Sequence, residues 1–371
     1  MLGEMITQPM LLPVTIALLA GLVCLLVPHS ARRLRGLLAV GSSAVVLGLA
    51  WRLFMSVGGE GAIAFDPVPW LSLRLDALGA FILLAIAFFA LLITIFSLGY
   101  MKESRFPAPG YTGRRLRSTA ENKRTTPLVP LAALDLPSRG RRVAYGSARR
   151  ERQREYYAYL LWTLGISCAV VLANELLLLL VCWGFLGLML YLMAGIAGPR
   201  AAEAARKSLM IIGGSDALLL LGIVLYWNLA GTTQLDGAAL ALDSPLATIA
   251  FLTFVAGAFA KAGAVPFHTW VPDFGEKTDA PVSAYLPASL DKLLGIYLLA
   301  RCVLDLFVLT PAMYLMLMLL GAVTVISAVM MALVQHDLKR LLSYHAVSQV
   351  GYMVLGIGTG TAIGLAGGLF H

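Results

Sequence analysis

The feature that most constrains this chain is a series of long apolar runs. A transmembrane helix needs about 20 predominantly apolar residues, because lipid offers the backbone no hydrogen-bond partner. Ten such runs occur, and an eleventh begins at 359–371. The ten lie at residues 10–27, 36–57, 77–101, 156–174, 176–197, 208–229, 246–271, 283–303, 311–335 and 341–358. Only 13% of the residues are charged, against about 25% in soluble domains. The sequence therefore predicts an all-α polytopic membrane protein.

The distribution of basic residues predicts how the chain is oriented. Cytoplasmic loops of membrane proteins carry an excess of Lys and Arg. The loops after odd-numbered runs contain 23 of the 28 Lys and Arg residues, and only Arg52, Arg74 and Arg301 lie toward the opposite side. No basic segment precedes the first run, which argues against a cleaved signal peptide. We therefore expect an uncleaved first helix and an N-terminus outside.

The whole net charge of +8 belongs to one segment. Residues 107–150 contain 10 basic and 2 acidic residues, and the remainder of the chain is neutral. This segment is rich in Pro, Gly, Ser and Arg with little apolar periodicity, which predicts a disordered cytoplasmic insertion. The segment can be interpreted as a nucleic-acid-binding region or as a gene-level artefact. Contact with anionic membrane lipid, at about 1 kcal/mol per basic residue, is favoured over nucleic acid.

Ionisable residues within the apolar runs are the candidate functional residues. A charge at the bilayer centre costs about 2.5–3.5 kcal/mol, so such residues usually face a protein interior or a wet path. The four candidates are Asp216 in the sixth run, Lys261 in the seventh, and the adjacent Asp291 and Lys292 in the eighth. For each one, an ion pair that only fixes helix packing is the alternative. Two lysines in successive runs favour transport, because burial and a movable counter-charge shift a lysine pKa in opposite directions.

Pro266 and His268 add to this group. A proline inside a helix removes a backbone hydrogen bond and kinks the helix, which frees carbonyls near Lys261. Broken helices of this kind line cavities in transporters, although Pro266 alternatively only ends the run. His268 is a candidate proton-relay partner or, alternatively, a core histidine. Asp291 and Lys292 point about 100° apart on a helix, so each is expected to face a different neighbouring helix.

No cofactor site is predicted for this chain. The four cysteines show no CxxC spacing, which indicates neither a disulfide framework nor a zinc or iron–sulfur site. Glycine patterns such as Gly358 and Gly360 follow no strand and make no dinucleotide fingerprint. We expect no nucleotide, flavin, haem or metal to bind here.

Several sequence strings identify a family. Residues 261–301 read KAGAVPFHTWVPDFGEKTDAPVSAYLPASLDKLLGIYLLAR. Supporting strings are SLRLDALGAFILL at 72–84, ANELLLLLVCWGFLGLMLYLMAGI at 173–196 and KRLLSYHAVSQVGYMVLGIG at 339–358. The chain resembles the proton-conducting antiporter-like subunits of respiratory complex I, Mrp-type antiporters and membrane-bound hydrogenases. This resemblance implies a 14-helix fold with two inverted five-helix repeats, and a proton path through lysines that match Lys261 and Lys292.

Some positions depart from the family pattern. Gly184 stands after Trp183 where relatives usually carry a glutamate, and Glu175 lies too far along the helix to replace it. Gly213 stands where many relatives have an arginine near Asp216, and Lys292 is one residue further along than the lysine of many relatives. His345 is only a weak candidate. The chain ends where the family's eleventh helix begins, so we expect a truncated chain of 10–11 helices.

The domain organisation follows from these assignments. Residues 1–106 are expected to form helices 1–3, residues 107–150 the insertion, and residues 151–371 helices 4–10 with the start of an eleventh, which carry the proton-path motif.

The resemblance implies a function within a larger assembly. The leading interpretation is a membrane subunit of a complex I-like NADH:quinone oxidoreductase or energy-converting hydrogenase in the bacterial inner membrane, with redox chemistry on other subunits. The alternatives are a subunit of an Mrp-type sodium/proton antiporter and a degenerate subunit that packs without conducting. Other membrane subunits are the expected partners.

Overall fold

The computed structural model describes residues 8–28, 31–68, 71–102, 139–237 and 239–371 as a bundle of helices. The helices are α1 (Leu12–Leu26), α2 (Arg32–Glu60), α3 (Ala77–Lys102), α4 (Arg139–Leu172), α5 (Leu176–Gly195), α6 (Ala202–Ala230), α7 (Pro245–Ala262), α8 (Trp270–Lys277), α9 (Ala280–Tyr285), α10 (Asp291–Arg301), α11 (Pro311–Leu333), α12 (Leu338–Gly358) and α13 (Ala362–Phe370). The four short strands are β1 (Ile63–Val68), β2 (Leu71–Leu75), β3 (Leu240–Ala241) and β4 (Phe307–Val308).

The helices follow the predicted apolar runs. Within the described residues, seven helical segments are long and apolar enough to cross a membrane. The three other predicted runs also form helices: α1, which has 15 residues, the pair α9 and α10, and α12. The beginning of the predicted eleventh helix is α13. The expected all-α polytopic architecture is therefore confirmed.

The loops after the even-numbered runs meet at one end of the bundle, called here the hairpin face. β1 and β2 form an antiparallel hairpin between α2 and α3. Leu73 of this hairpin bridges to Ala173 between α4 and α5, and Glu175 bridges to Gln234 after α6. β3, before α7, pairs in parallel with β4, before α11. Four successive loops are thus joined on one face.

The loops after the fifth, seventh and ninth runs meet at the opposite end, called here the basic face. Arg200, before α6, pairs with Asp279, before α9, at 2.8 Å. Asp273 on α8 pairs with Lys207 of α6 at 2.5 Å and with Arg340 of α12 at 3.1 Å. The described loops after the fourth to the ninth runs thus alternate between the two faces.

The predicted insertion 107–150 is only partly described. Residues 107–138 lie outside the described residues. Arg139 begins helix α4, which continues into the fourth apolar run without a break. Residues 139–150 thus belong to the first part of helix α4.

Glycines allow two pairs of helices to touch through their backbones. A Cβ at Gly321 of α11 would lie 2.6 Å from the backbone N of Leu355 and 2.8 Å from the carbonyl oxygen of Gly351, both on α12. A Cβ at Gly295 of α10 would lie 2.5 Å from the backbone N of Ala262 on α7. Small residues at such contacts are the main means of packing helices tightly in lipid, where burial of apolar surface gives little driving force.

We predict that Gly321→Leu separates α11 from α12 and lowers the melting temperature of the purified protein in detergent. Overpacking of a close contact costs about 1–3 kcal/mol. Gly48→Leu in α2 is the control, because a Cβ there meets nothing within 4 Å. Equal melting temperatures for the two variants would contradict the described α11–α12 contact.

Candidate functional site

The seventh run is a broken helix, and Lys261 lies at the break. Helix α7 ends at Ala262, and Gly263 follows with a left-handed φ of 81°. A side chain at Gly263 would be strained, and its Cβ would lie 2.6 Å from Val271. Pro266 then precedes a short 3-10 turn (Phe267–Thr269) and α8. Pro266 therefore lies within the interruption, but the helix already ends at Gly263.

The polar backbone groups at the break have partners inside the protein. The indole N–H of Trp270 donates to the carbonyl of Ala260 at 2.9 Å. The backbone N–H of Val265 donates to Thr324 of α11 at 3.3 Å. An interrupted helix is tolerated at membrane depth only where such groups are satisfied within the protein or line a cavity.

The eighth run is interrupted by a π turn just before Asp291. The π turn spans Leu286–Leu290, and the backbone N–H of Asp291 donates to the carbonyl of Leu286, five residues earlier. Pro287 has no N–H and its ring clashes with the carbonyl four residues before it, which disfavours a regular α-helix at this point. π turns in helices are rare and often occur at functional sites.

Lys261 and Asp291 form a buried ion pair between the two broken helices. The Lys261 ammonium lies 3.5 Å from Asp291 Oδ1, and the two side chains are 0% and 2% exposed. The close backbone contact at Gly295 holds α10 against α7 one helical turn from this pair. Lys292 takes no part in the Lys261–Asp291 ion pair. This agrees with the prediction that Asp291 and Lys292 face different neighbours.

Trp183 and Asp216 complete the surroundings of Lys261. The Lys261 ammonium lies 5.3 Å from the centre of the Trp183 ring, within the range of a cation–π contact. Asp216 of α6 is close enough to interact electrostatically with Lys261 and with the Trp183 indole. Lys261 thus has an aromatic face and two carboxylates around it, contributed by α5, α6 and α10.

Buried polar atoms without a protein hydrogen bond concentrate in this group. Within the described residues, such atoms include Trp183 Nε1, Asp216 Oδ1, Lys261 Nζ and Asp291 Oδ2. Each unsatisfied buried donor or acceptor costs about 1–3 kcal/mol. Native structures keep few of them, and a role in chemistry is one of the recognised reasons.

Lys292 points elsewhere, into a cavity of about 290 Å³ between α3, α10, α12 and α13. Phe81, Phe88 and Phe89 contribute much of the apolar wall, and Ser289 adds a hydroxyl. No described residue forms an ion pair or a hydrogen bond with Lys292. The structure therefore brings Lys261, Asp291 and Asp216 together and leaves Lys292 on a different side of the same helix.

The histidine candidates lie in different surroundings. His268 is in the 3-10 turn after Pro266 and is 8% exposed. His345 is exposed on α12 and contacts Gln349 at 3.4 Å. Among the described residues, no group of three or more His, Cys, Asp or Glu side chains is arranged to hold a metal ion.

Comparison with known proteins assigns the chain to a family. The model of the family described as "NADH:quinone oxidoreductase/Mrp antiporter, TM" matches residues 173–371, more than half of the chain. The chain belongs to this family. A second model, for the N-terminus of complex I chain 5, matches residues 69–108. The resemblance inferred from the sequence strings is confirmed, and the chain is an integral membrane protein of this antiporter-like family.

Relatives of the family span several kinds of complex. The chain is 33% identical to NAD(P)H-quinone oxidoreductase subunit 5 of the Chaetosphaeridium globosum chloroplast, over 58% of this chain and 33% of that protein. It is 32% identical to F(420)H(2) dehydrogenase subunit L of Methanosarcina mazei, over 62% of this chain and 38% of that protein. The chain spans about a third of the length of these curated relatives.

A solved structure shares the fold. A chain of the Mrp complex from Dietzia sp. superposes with a TM-score of 0.77 at 20% identity, covering 97% of this chain and 60% of that one. This likeness shows the fold alone.

The departures from the family pattern have a structural counterpart. Gly184 and Gly213 are exposed, and a Cβ at either position would meet nothing within 4 Å. Glu175 caps the N-terminus of α5 by accepting from the backbone N–H of Leu178 at 2.8 Å. The carboxylates near Lys261 in this chain are therefore Asp291 and Asp216.

Sequence reasoning missed two contributors to the site. The sequence analysis names Trp183 only as the residue before Gly184, and no sequence pattern pairs it with Lys261. The Gly295 contact had a weaker signal, a glycine four residues after Asp291 in the string LLGIY.

We predict that Asp291→Leu destabilises the protein by about 3–5 kcal/mol, because removal of one partner of a buried pair leaves an uncompensated charge. The double variant Lys261→Met/Asp291→Leu should regain all or part of this loss. Thermal unfolding of the purified variants in detergent measures both effects. Additive losses in the double variant would contradict a direct interaction between the two side chains.

Proposed function

We propose that this chain is a proton-translocating membrane subunit of a complex I-like NADH:quinone oxidoreductase or an energy-converting hydrogenase. The single observation that carries the proposal is the buried Lys261–Asp291 pair at the meeting point of two broken helices. Family membership and the complexes to which the relatives belong by name support the kind of assembly.

The proton would be held on the Lys261 ammonium and released when its counter-charge moves. While the pair is closed, the carboxylate stabilises the ammonium, and both charges are shielded from water. When the pair opens, an uncompensated charge remains in a low-dielectric interior at a cost of several kcal/mol. Loss of the proton removes that cost, so motion of one carboxylate is coupled to proton release.

Asp216 is a second carboxylate near the Lys261 ammonium, and it lies on a different helix from Asp291. It interacts with Lys261 from α6, whereas Asp291 does so from α10. An ammonium between two carboxylates on separate helices can change its partner without leaving the protein interior. His268 and Lys292 are the proposed links on either side of this centre, and neither forms an ion pair with a described residue.

Electron transfer is proposed to take place on partner subunits, and this chain is proposed to bind no cofactor itself. Its four cysteines have no CxxC spacing in the sequence. The other membrane subunits of a respiratory or hydrogenase complex are the proposed partners. We also propose the bacterial inner membrane as the location, with the basic face in the cytoplasm and the N-terminus outside, because cytoplasmic loops carry the excess of Lys and Arg.

We predict that Lys261→Ala in the purified complex, reconstituted into proteoliposomes, abolishes coupled proton uptake while the complex still assembles. Lys292→Ala should also impair uptake. A pH-sensitive dye measures uptake, and gel filtration measures assembly. Lys277→Ala is the matched control, because Lys277 lies on α8 with a 47% exposed side chain.

Unchanged uptake by Lys261→Ala would contradict the proposal and leave a structural role for the subunit. The identity of the co-purifying chains distinguishes the proposed function from the remaining alternative, an Mrp-type antiporter. Quinone- or hydrogen-reactive subunits are expected here, whereas an Mrp-type antiporter would contain small membrane subunits alone and would respond to a sodium gradient.

A further inference from the structure

The rotational setting of α10 decides which charge faces Lys261. Asp291 and Lys292 are adjacent, and one residue of an α-helix corresponds to about 100° of rotation. Asp291 faces Lys261, and Lys292 lines the cavity beside α3. A shift of one residue would place an ammonium against the Lys261 ammonium instead.

The two ends of the eighth helix do not fix this setting by themselves. A π turn precedes α10 at Leu286–Leu290, and a second one follows it at Cys302–Leu306. The backbone N–H of Phe307 donates to the carbonyl of Cys302, five residues earlier. A π turn holds one more residue than an α turn, so regular α-helical geometry at the two ends does not dictate the register of the segment between them.

Arg301 ties α10 to the hairpin face. Its guanidinium makes a bidentate contact with Asp76, at 2.6 Å and 2.7 Å, although the two residues are 225 positions apart. Arg301 is 3% exposed, and its Nε donates to the Tyr297 hydroxyl at 3.0 Å. That hydroxyl in turn donates to the carbonyl of Val171 on α4 at 2.9 Å.

Asp76 is itself held in place at the start of α3. Its Oδ1 accepts from the backbone N–H of Gly79 at 2.9 Å. Burial raises the pKa of Asp76, but the hydrogen bond and charge of Arg301 and the Gly79 N–H outweigh this, so the pKa is lowered. A charged, two-point contact of this kind fixes orientation as well as distance.

We propose that Asp76 is a positioning residue: through Arg301, and together with the Gly295 contact against α7, it sets the rotation of α10 so that Asp291, and not Lys292, faces Lys261. Arg301 and Asp291 lie at opposite ends of one helical segment, about 15 Å apart at 1.5 Å per residue. The consequence for proton transfer rests on the proposed function, but the positional effect does not.

Asp305 provides a matched control. It also pairs with Arg301, at 2.9 Å, and its side chain is 18% exposed against 19% for Asp76. Asp305 belongs to the same helix as Arg301, so this pair cannot fix the helix relative to a neighbour. Asp76→Asn and Asp305→Asn remove the same charge from the same guanidinium, and only the first removes the tie to α3.

Cysteine labelling measures the rotational setting of α10 independently of proton transport. In the full complex, with the four native cysteines replaced by alanine, single cysteines are placed at Lys292, which lines the cavity, and at Leu294, which is 0% exposed. A membrane-permeant maleimide should label Lys292→Cys and spare Leu294→Cys. A one-residue shift moves Leu294 into the cavity-lining place of Leu293 and moves Lys292 toward Lys261.

We expect Asp76→Asn to lower labelling at position 292 several-fold and to raise it several-fold at position 294. Asp305→Asn and Asp76→Glu should keep the original pattern. Arg301→Lys retains the charge but loses the two-point contact, so it should shift the pattern in the same direction and provides a second variant if Asp76→Asn does not assemble.

An unchanged pattern in Asp76→Asn and Arg301→Lys would overturn the proposal. An increase in labelling at both position 292 and position 294 would overturn it as well, and so would equal changes in Asp76→Asn and Asp305→Asn. Either result would indicate a general loosening of the helix packing. Failure of the proposed function has a different signature, which is unchanged proton uptake by Lys261→Ala whatever the labelling result.

Discussion

The structure depends on keeping a lysine charge inside a membrane-spanning bundle. The low dielectric that makes an isolated ammonium costly also strengthens its attraction to a nearby carboxylate. The protein meets this constraint by interrupting two helices at the level of Lys261 and Asp291 and by placing a tryptophan ring and a second carboxylate around the ammonium. The two helix breaks, the Gly295 contact and the buried polar atoms of Trp183, Asp216, Lys261 and Asp291 lie around this one pair.

The two breaks arise from different local causes. In the seventh helix, Gly263 adopts a left-handed conformation that ends α7, and Pro266 follows. In the eighth helix, Pro287 lies inside a π turn that adds a residue without ending the helix. The first break places the C-terminal end of α7 at the site. The second changes the direction in which Asp291 and Lys292 point.

Much of this arrangement could be predicted from the sequence because its determinants are local. The apolar runs located the helices, and the rarity of charge within them singled out Lys261, Asp216, Asp291 and Lys292. The 100° spacing of Asp291 and Lys292 already required different neighbours. The identity of those neighbours could not be predicted, because it depends on the π turns and on the Asp76–Arg301 contact, which joins residues 225 positions apart. Trp183 was missed for the same reason, since its contact with Lys261 joins two separate helices.

The backbone contact at Gly295 also limits how the ion pair can open. Asp291 lies four residues from Gly295, about 6 Å along the axis at 1.5 Å per residue. The contact at Gly295 can act as a pivot if α10 tilts against α7, and Asp291 lies close to that pivot. A tilt of about 10° then moves Asp291 by only about 1 Å. Rocking of the two helices is therefore an inefficient way to separate the charges. A change of side-chain rotamer separates them with far less displacement of the surrounding bundle, because rotation of α10 about its own axis would turn Gly295 away from Ala262 and bring a larger residue against it.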